Sequence, residues 1–87
     1  MAKDWRVDLA WHLRGQPLQR KMWIRWSESW DHDHCAACGA KFAEFDGPEI
    51  QKEGYATTEA YIKGANYDWV CVSCFEELKD TLDWKEA

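Results

Sequence analysis

The chain has 87 residues, 46% of them hydrophobic and 31% charged, with a formal net charge of −5. That length allows one domain, residues 1–87, with a small core that buries a lesser share of its surface than a larger protein would. No apolar run approaches the roughly 20 residues of a membrane-spanning helix, which excludes a membrane partner from the expectations.

The first predicted element is a helix over residues 5–14, where Trp5, Leu9, His12 and Leu13 fall at near-helical spacing with Val7 and Trp11 close by. Gly15 stands where a C-cap glycine would, and Pro17 bars continuation. His12 reads as an ordinary half-buried residue rather than a ligand. Leu18 to Trp26 then alternates and predicts a strand, so residues 1–30 form an N-terminal helix and strand. After a polar link at Ser27–Ser29 comes Trp30-Asp31-His32-Asp33-His34, leading into Cys35-Ala36-Ala37-Cys38-Gly39. Phe42 and Phe45 are expected to cover the cysteine pair. Asp46-Gly47-Pro48 signals a turn, Gly54–Thr57 a short strand, and Gly64-Ala65-Asn66 a second turn before a strand-like Tyr67–Val70. From Cys71 onward Phe75, Leu78 and Leu82 share one face of a C-terminal helix, with Glu76, Glu77, Lys79, Asp80 and Asp83 mostly elsewhere.

All four cysteines lie in two Cys-x-x-Cys pairs, Cys35/Cys38 and Cys71/Cys74. Such a turn aims two sulfurs inward at the separation one Zn²⁺ needs, about 2.3 Å from metal to each sulfur, and two turns close a four-coordinate structural site. Disulfides, redox use and buried free thiols are the alternatives. Met1–Arg6 shows no charged stretch followed by a long apolar run, so the expected setting is reducing and cytoplasmic, where disulfides are rare. Two pairs so far apart also fit a thioredoxin-like motif poorly. The second pair opens a helix, where free amides and the dipole favour thiolates. A chain this short needs a staple, and metal could decide whether it folds.

The knuckle Cys-Ala-Ala-Cys-Gly at 35–39, a β-hairpin, and Trp-Val-Cys-Val-Ser-Cys-Phe at 69–75 opening a helix together resemble a treble-clef zinc finger over about residues 34–84. The resemblance implies zinc ligation by Cys35, Cys38, Cys71 and Cys74 and an α+β fold, with a zinc-stabilised treble-clef core (31–84) on which the N-terminal helix and strand pack. Asp4-Trp5-Arg6, Trp30 to Cys35, Ala40-Lys41-Phe42, Gly54-Tyr55 and Trp69-Val70-Cys71 further resemble a group of small bacterial zinc-binding proteins without an assigned reaction. The treble clef serves unrelated functions, so fold alone does not choose among them.

Asp31-His32-Asp33-His34 is the one cluster that could carry chemistry, with both histidines on one side of an extended segment and both aspartates on the other. His-metal nucleases built on the treble clef use an Asp-His pair of this kind, although there it usually follows the first cysteine pair. The alternatives are that His32 or His34 donates to a cysteine sulfur, replaces one cysteine as ligand, or holds a separate metal.

Charge is divided along the chain. Of 11 basic and 16 acidic residues, residues 1–26 hold Lys3, Arg6, Arg14, Arg20, Lys21 and Arg25 against Asp4 and Asp8, a net of +4, which leaves −9 for the remainder. Phosphate contact would therefore fall to the N-terminal segment: Arg20, Lys21 and Arg25, with Trp23 or Trp26 as stacking platforms. The alternative is a basic strand paired with acidic residues of the same domain. The seven tryptophans are expected mostly in the core. Lacking an obvious nucleophile, the chain reads first as a protein-interaction or adaptor module, then as a nucleic-acid binder, and last as a nuclease.

Overall fold

The computed structural model describes residues 4–25 and 27–87; Lys3 and Trp26, part of the expectations above, lie outside the described residues. The elements run α1 (Trp5–Leu9), a 3-10 turn (Trp11–Leu13), β1 (Pro17–Met22), β2 (His32–His34), β3 (Lys41–Ala43), β4 (Glu53–Thr57), β5 (Trp69–Cys71), α2 (Val72–Leu82) and β6 (Lys85–Glu86). This is a small α+β fold. Four strands form one sheet in the order β5-β4-β1-β6, and β2 and β3 form a separate two-stranded hairpin around the first cysteine pair.

β4 is antiparallel to both neighbours, opposing Arg20 with Tyr55 on one side and Tyr55 with Val70 on the other. It is buried on both faces. Toward α2, the Tyr55 ring stacks on Phe75 with centroids 3.6 Å apart, and Phe75 in turn lies against Trp84 at 6.0 Å. At Gly54 any side chain would run into the Phe42 ring and the Val70 carbonyl, each at 2.7 Å from an added Cβ, so glycine is the residue that lets Phe42 lie against this strand. The core joins Ala10, Leu13 and Leu18 of the N-terminal part to Phe42, Tyr55, Trp69, Phe75, Leu82 and Trp84.

α2 ends at Asp83, which takes the left-handed conformation (φ 52°) and turns the chain back. The Trp84 indole N–H then donates to the Leu13 carbonyl (3.0 Å), and the Gly15 N–H donates to the Leu82 carbonyl (2.8 Å). β6 continues parallel to β1.

Several expectations need correction. The first helix stops at Leu9 instead of running to residue 14: the chain tightens at Ala10, which sinks Ala10 and Leu13 into the core and leaves Trp5, Leu9 and Trp11 outside. Trp5, Leu9 and Trp11 face water and add no burial that would hold a longer helix. β1 ends at Met22, because its partner β4 begins at Glu53. Phe45 is 55% exposed beneath the Lys41 ammonium, whereas Phe42 is fully buried 5.4 Å from Trp69. Among the six described tryptophans, Trp23, Trp69 and Trp84 are buried, Trp30 is half-buried, and Trp5 and Trp11 are exposed.

Candidate metal centre

The first pair sits in a turn between β2 and β3. The Cys35 N–H donates to Ala40 O (2.7 Å), and the Gly39 N–H donates to Cys35 O (2.9 Å). Gly39 has φ 82°, a region that side-chain-bearing residues avoid, and this lets the turn close tightly. The turn is docked on β5: the Ala36 N–H donates to Trp69 O (2.8 Å), and Cys35 bridges to Trp69. The strand that leads to the second pair therefore also fixes the first. Cys71 is the N-cap of α2 and Cys74 lies in its first turn, so both point from a helix start.

The four Sγ atoms lie within 4.8 Å of one another, with Cys38 and Cys71 3.7 Å apart. Two sulfurs each about 2.3 Å from one ion at a tetrahedral angle are about 3.8 Å apart, so this pair fits. Cys35, Cys71 and Cys74 are buried, and Cys38 is partly so. Among the described residues these four form the one group of three or more potential ligands close enough to share an ion.

The surroundings are arranged for negative sulfur. Cys35 Sγ accepts backbone N–H groups from Ala37 (3.4 Å), Cys38 (3.4 Å) and Cys71 (3.3 Å). A hydrogen bond from the Cys71 thiol, helped by these amides, holds the Cys35 thiol down at about 4 against the cost of burial. The proton this places on Cys71 is then hard to remove, because Cys71 hydrogen-bonds the Cys35 thiolate and is buried beside it. Burial first, then the Cys35 charge, pushes Cys74 up to about 12. Without a cation, one thiolate therefore opposes the ionisation of its neighbours. A divalent ion reverses that opposition, since coordination favours all four thiolates together.

Arg6 is the residue the sequence reading missed. Its guanidinium donates to Cys74 Sγ (3.7 Å) and pairs with Asp4 (2.8 Å) and Glu77 (3.0 Å), which keeps it protonated at every ordinary pH. The signal lay in Asp4, which caps α1 by accepting the Arg6 N–H and so sets the side chain's direction. Four thiolates around one Zn²⁺ would leave two formal negative charges, and Arg6 holds a permanent positive charge beside Cys74.

His32 and His34 project from the same, exposed side of β2, their rings 5.2 Å apart, while Asp33 turns inward. His32 Nδ1 hydrogen-bonds Asp31 (2.8 Å) and His34 Nδ1 hydrogen-bonds Gly39 O (3.2 Å). His34 thus holds the backbone of the cysteine turn instead of donating to a sulfur. His12 is exposed on the surface, 3.5 Å from Asp68.

The basic candidates are mostly occupied at home. Arg20 pairs with Glu53 (3.1 Å), Lys21 donates to Asn66 Oδ1 (2.8 Å), and Arg25 holds the Ser27 carbonyl (3.2 Å). Trp23 is only 5% exposed and donates its indole N–H to Asp33, so it presents no open ring for stacking on the surface. No helix of the described residues is long and apolar enough to cross a membrane. Comparison with protein-family models, curated proteins and solved structures gives no match to this chain.

Proposed function

We propose that the chain is a treble-clef zinc finger in which Cys35, Cys38, Cys71 and Cys74 hold one structural Zn²⁺, and that it serves as a protein-interaction module of the cytoplasm. The observation that carries the metal reading is the meeting of four sulfurs from two distant turns, one pair at tetrahedral spacing. The order of elements supports the fold: a cysteine turn, the antiparallel pair β4–β5, then a helix that begins at the second cysteine pair. When bound, the metal supplies a cross-link and no reaction, because four sulfurs fill its coordination and leave no position for water or substrate.

The interaction reading rests on α1. Trp5 and Leu9, one turn apart and 57% and 56% exposed, share a face open to solvent among the described residues. Arg6 ties the same short helix to Cys74, so the metal centre fixes the orientation of that apolar face. The nuclease reading has less support, since His32 and His34 hydrogen-bond Asp31 and Gly39 and belong to no metal-capable group among the described residues.

Substitution of ¹¹³Cd tests the ligand set: a single resonance in the four-sulfur range is expected, and a shift in the S₃N range overturns the assignment. For the partner, capture from the native host by wild type is compared with the double variant W5S/L9S, checked for unchanged folding. An identical set of captured proteins ends the interaction reading of α1.

A further inference from the structure

A cavity of about 420 Å³ opens beside the end of β1, away from the sulfurs: no cysteine lines it. Its volume falls in the range of small-molecule sites. Trp23, Trp30, Tyr67 and Trp69 give it aromatic walls. Two of these rings are fixed by one carboxylate, since Trp23 Nε1 donates to Asp33 Oδ2 (2.9 Å) and Trp30 Nε1 donates to Asp33 Oδ1 (3.0 Å). Trp30 also meets Tyr67 edge to face at 5.9 Å. Rings held in this way form a rigid cavity, and a rigid cavity loses little freedom when a flat guest enters.

The charged groups on the lining are Lys21, Arg25 and Lys63 against Asp33 alone. That local balance is positive in a chain whose net charge is −5. Both oxygens of Asp33 already accept an indole N–H, whereas the Lys63 ammonium rests over the Tyr67 ring, 5.1 Å from its centroid, the Lys21 ammonium donates to Asn66, and the Arg25 guanidinium meets backbone carbonyls. A cationic guest would be repelled by three neighbours of its own sign. A long polyanion would meet the acidic remainder of the surface. A small anion meets neither obstacle.

We infer that this cavity is a binding site for a small organic anion with a planar aromatic body, its carboxylate or phosphate directed to Lys63, with Lys21 and Arg25 adding positive charge from their own hydrogen-bonded positions, and its ring placed against Trp30 and Tyr67. The site shares no ligand with the metal centre and stands apart from the protein-interaction reading of α1.

The test uses the folded, zinc-loaded chain and follows the assigned indole N–H signals of Trp23, Trp30 and Trp69 by ¹H–¹⁵N NMR. Indole-3-acetate is titrated beside tryptamine, which has a similar body and the opposite charge, and AMP beside adenosine, so that the two sources of negative charge are separated. Indole-3-acetate or AMP is expected to shift these signals with a dissociation constant of about 1 mM or tighter, and tryptamine at least about tenfold more weakly. K63Q, on an exposed side chain, is expected to weaken the anion about threefold or more with the rest of the spectrum unchanged. Equal or tighter binding of tryptamine, or no shift by either anion at millimolar concentration, overturns the inference. Loss of signal dispersion on zinc removal concerns the metal reading alone, and the two failures are told apart in one set of spectra.

Discussion

The cysteine centre and the aromatic cavity share one short strand, β5: Trp69 walls the cavity and holds the first cysteine turn through its carbonyl, and Cys71 belongs to the candidate metal centre. They are built on different terms. The centre draws on two turns of identical chemistry whose backbones are stitched together by Ala36 and Trp69. The cavity draws on β1 and its extension, β2, and the loop between β4 and β5, with no repeated motif among them. In a small core, a concentrated bond can hold one region of the molecule, while the other depends on ordinary packing and hydrogen bonds. The contrast predicts that damage to the first is global and damage to the second local.

The largest effect is expected at Cys35, whose Sγ accepts three backbone amides. C35S should release the metal and with it most of the fold, since structural Zn²⁺ contributes an apparent ~10–16 kcal/mol in small fingers. Metal content by mass spectrometry and chemical-shift dispersion check this; a dispersed spectrum without metal would contradict it. Metal release on acidification should follow the same logic, because binding requires thiolates and protons compete for them: retention weakens as pH falls.

Thr57 tests the cavity side. This buried hydroxyl donates to Gly64 O (3.0 Å) and accepts the N–H groups of Tyr67 (3.0 Å) and Asp68 (3.2 Å), so it organises the loop that carries Lys63 and Tyr67. T57V keeps the shape and leaves buried backbone groups unpaired, at a cost of about 2–4 kcal/mol by denaturant unfolding, with zinc retained. Loss of zinc in the folded T57V protein would break the proposed independence of the two regions.

G54A sits between them, and an added methyl meets backbone as well as the Phe42 ring, so a loss of about 1–3 kcal/mol is expected. R6Q removes the charge beside Cys74 and should weaken zinc retention about tenfold in a chelator competition, without changing the ligand set. The smallest effect belongs to E53Q. Arg20 hydrogen-bonds the Glu53 carboxylate and holds it below the usual range, so its contribution is present above the ordinary glutamate range and fades as pH falls through the lowered value. Both groups are exposed to solvent, and the unfolding midpoint of E53Q near neutral pH should differ least from wild type.

The four-cysteine cluster was legible because its chemistry is local in sequence. A Cys-x-x-Cys turn declares its purpose within four residues, and Phe75, Leu78 and Leu82 mark α2 by spacing alone. β4 and β5 were also readable within a residue or two, from Gly54–Thr57 and the run into Cys71. The N-terminal helix was not, because its apolar residues satisfy helical spacing while Ala10 and Leu13 enter the core, Val7 packs against it, and Trp5, Leu9 and Trp11 stay exposed. Periodicity reports which residues could share a face, not whether that face meets anything. The roles of Arg6, Thr57 and Asp33 were likewise hidden. Arg6 reaches Cys74, Thr57 reaches Tyr67 and Asp33 reaches Trp23, contacts that folding creates between segments with no shared pattern, while the Trp30–Asp33 bond spans only three residues.

The central claim, that four sulfurs and one Zn²⁺ hold this fold together, is tested most directly by a chelator titration of the purified chain in which zinc content and near-UV circular dichroism are read on the same samples. The account predicts one zinc per chain at the start and a tryptophan signal that disappears in step with the metal. A native near-UV spectrum that persists after the zinc is gone would contradict it.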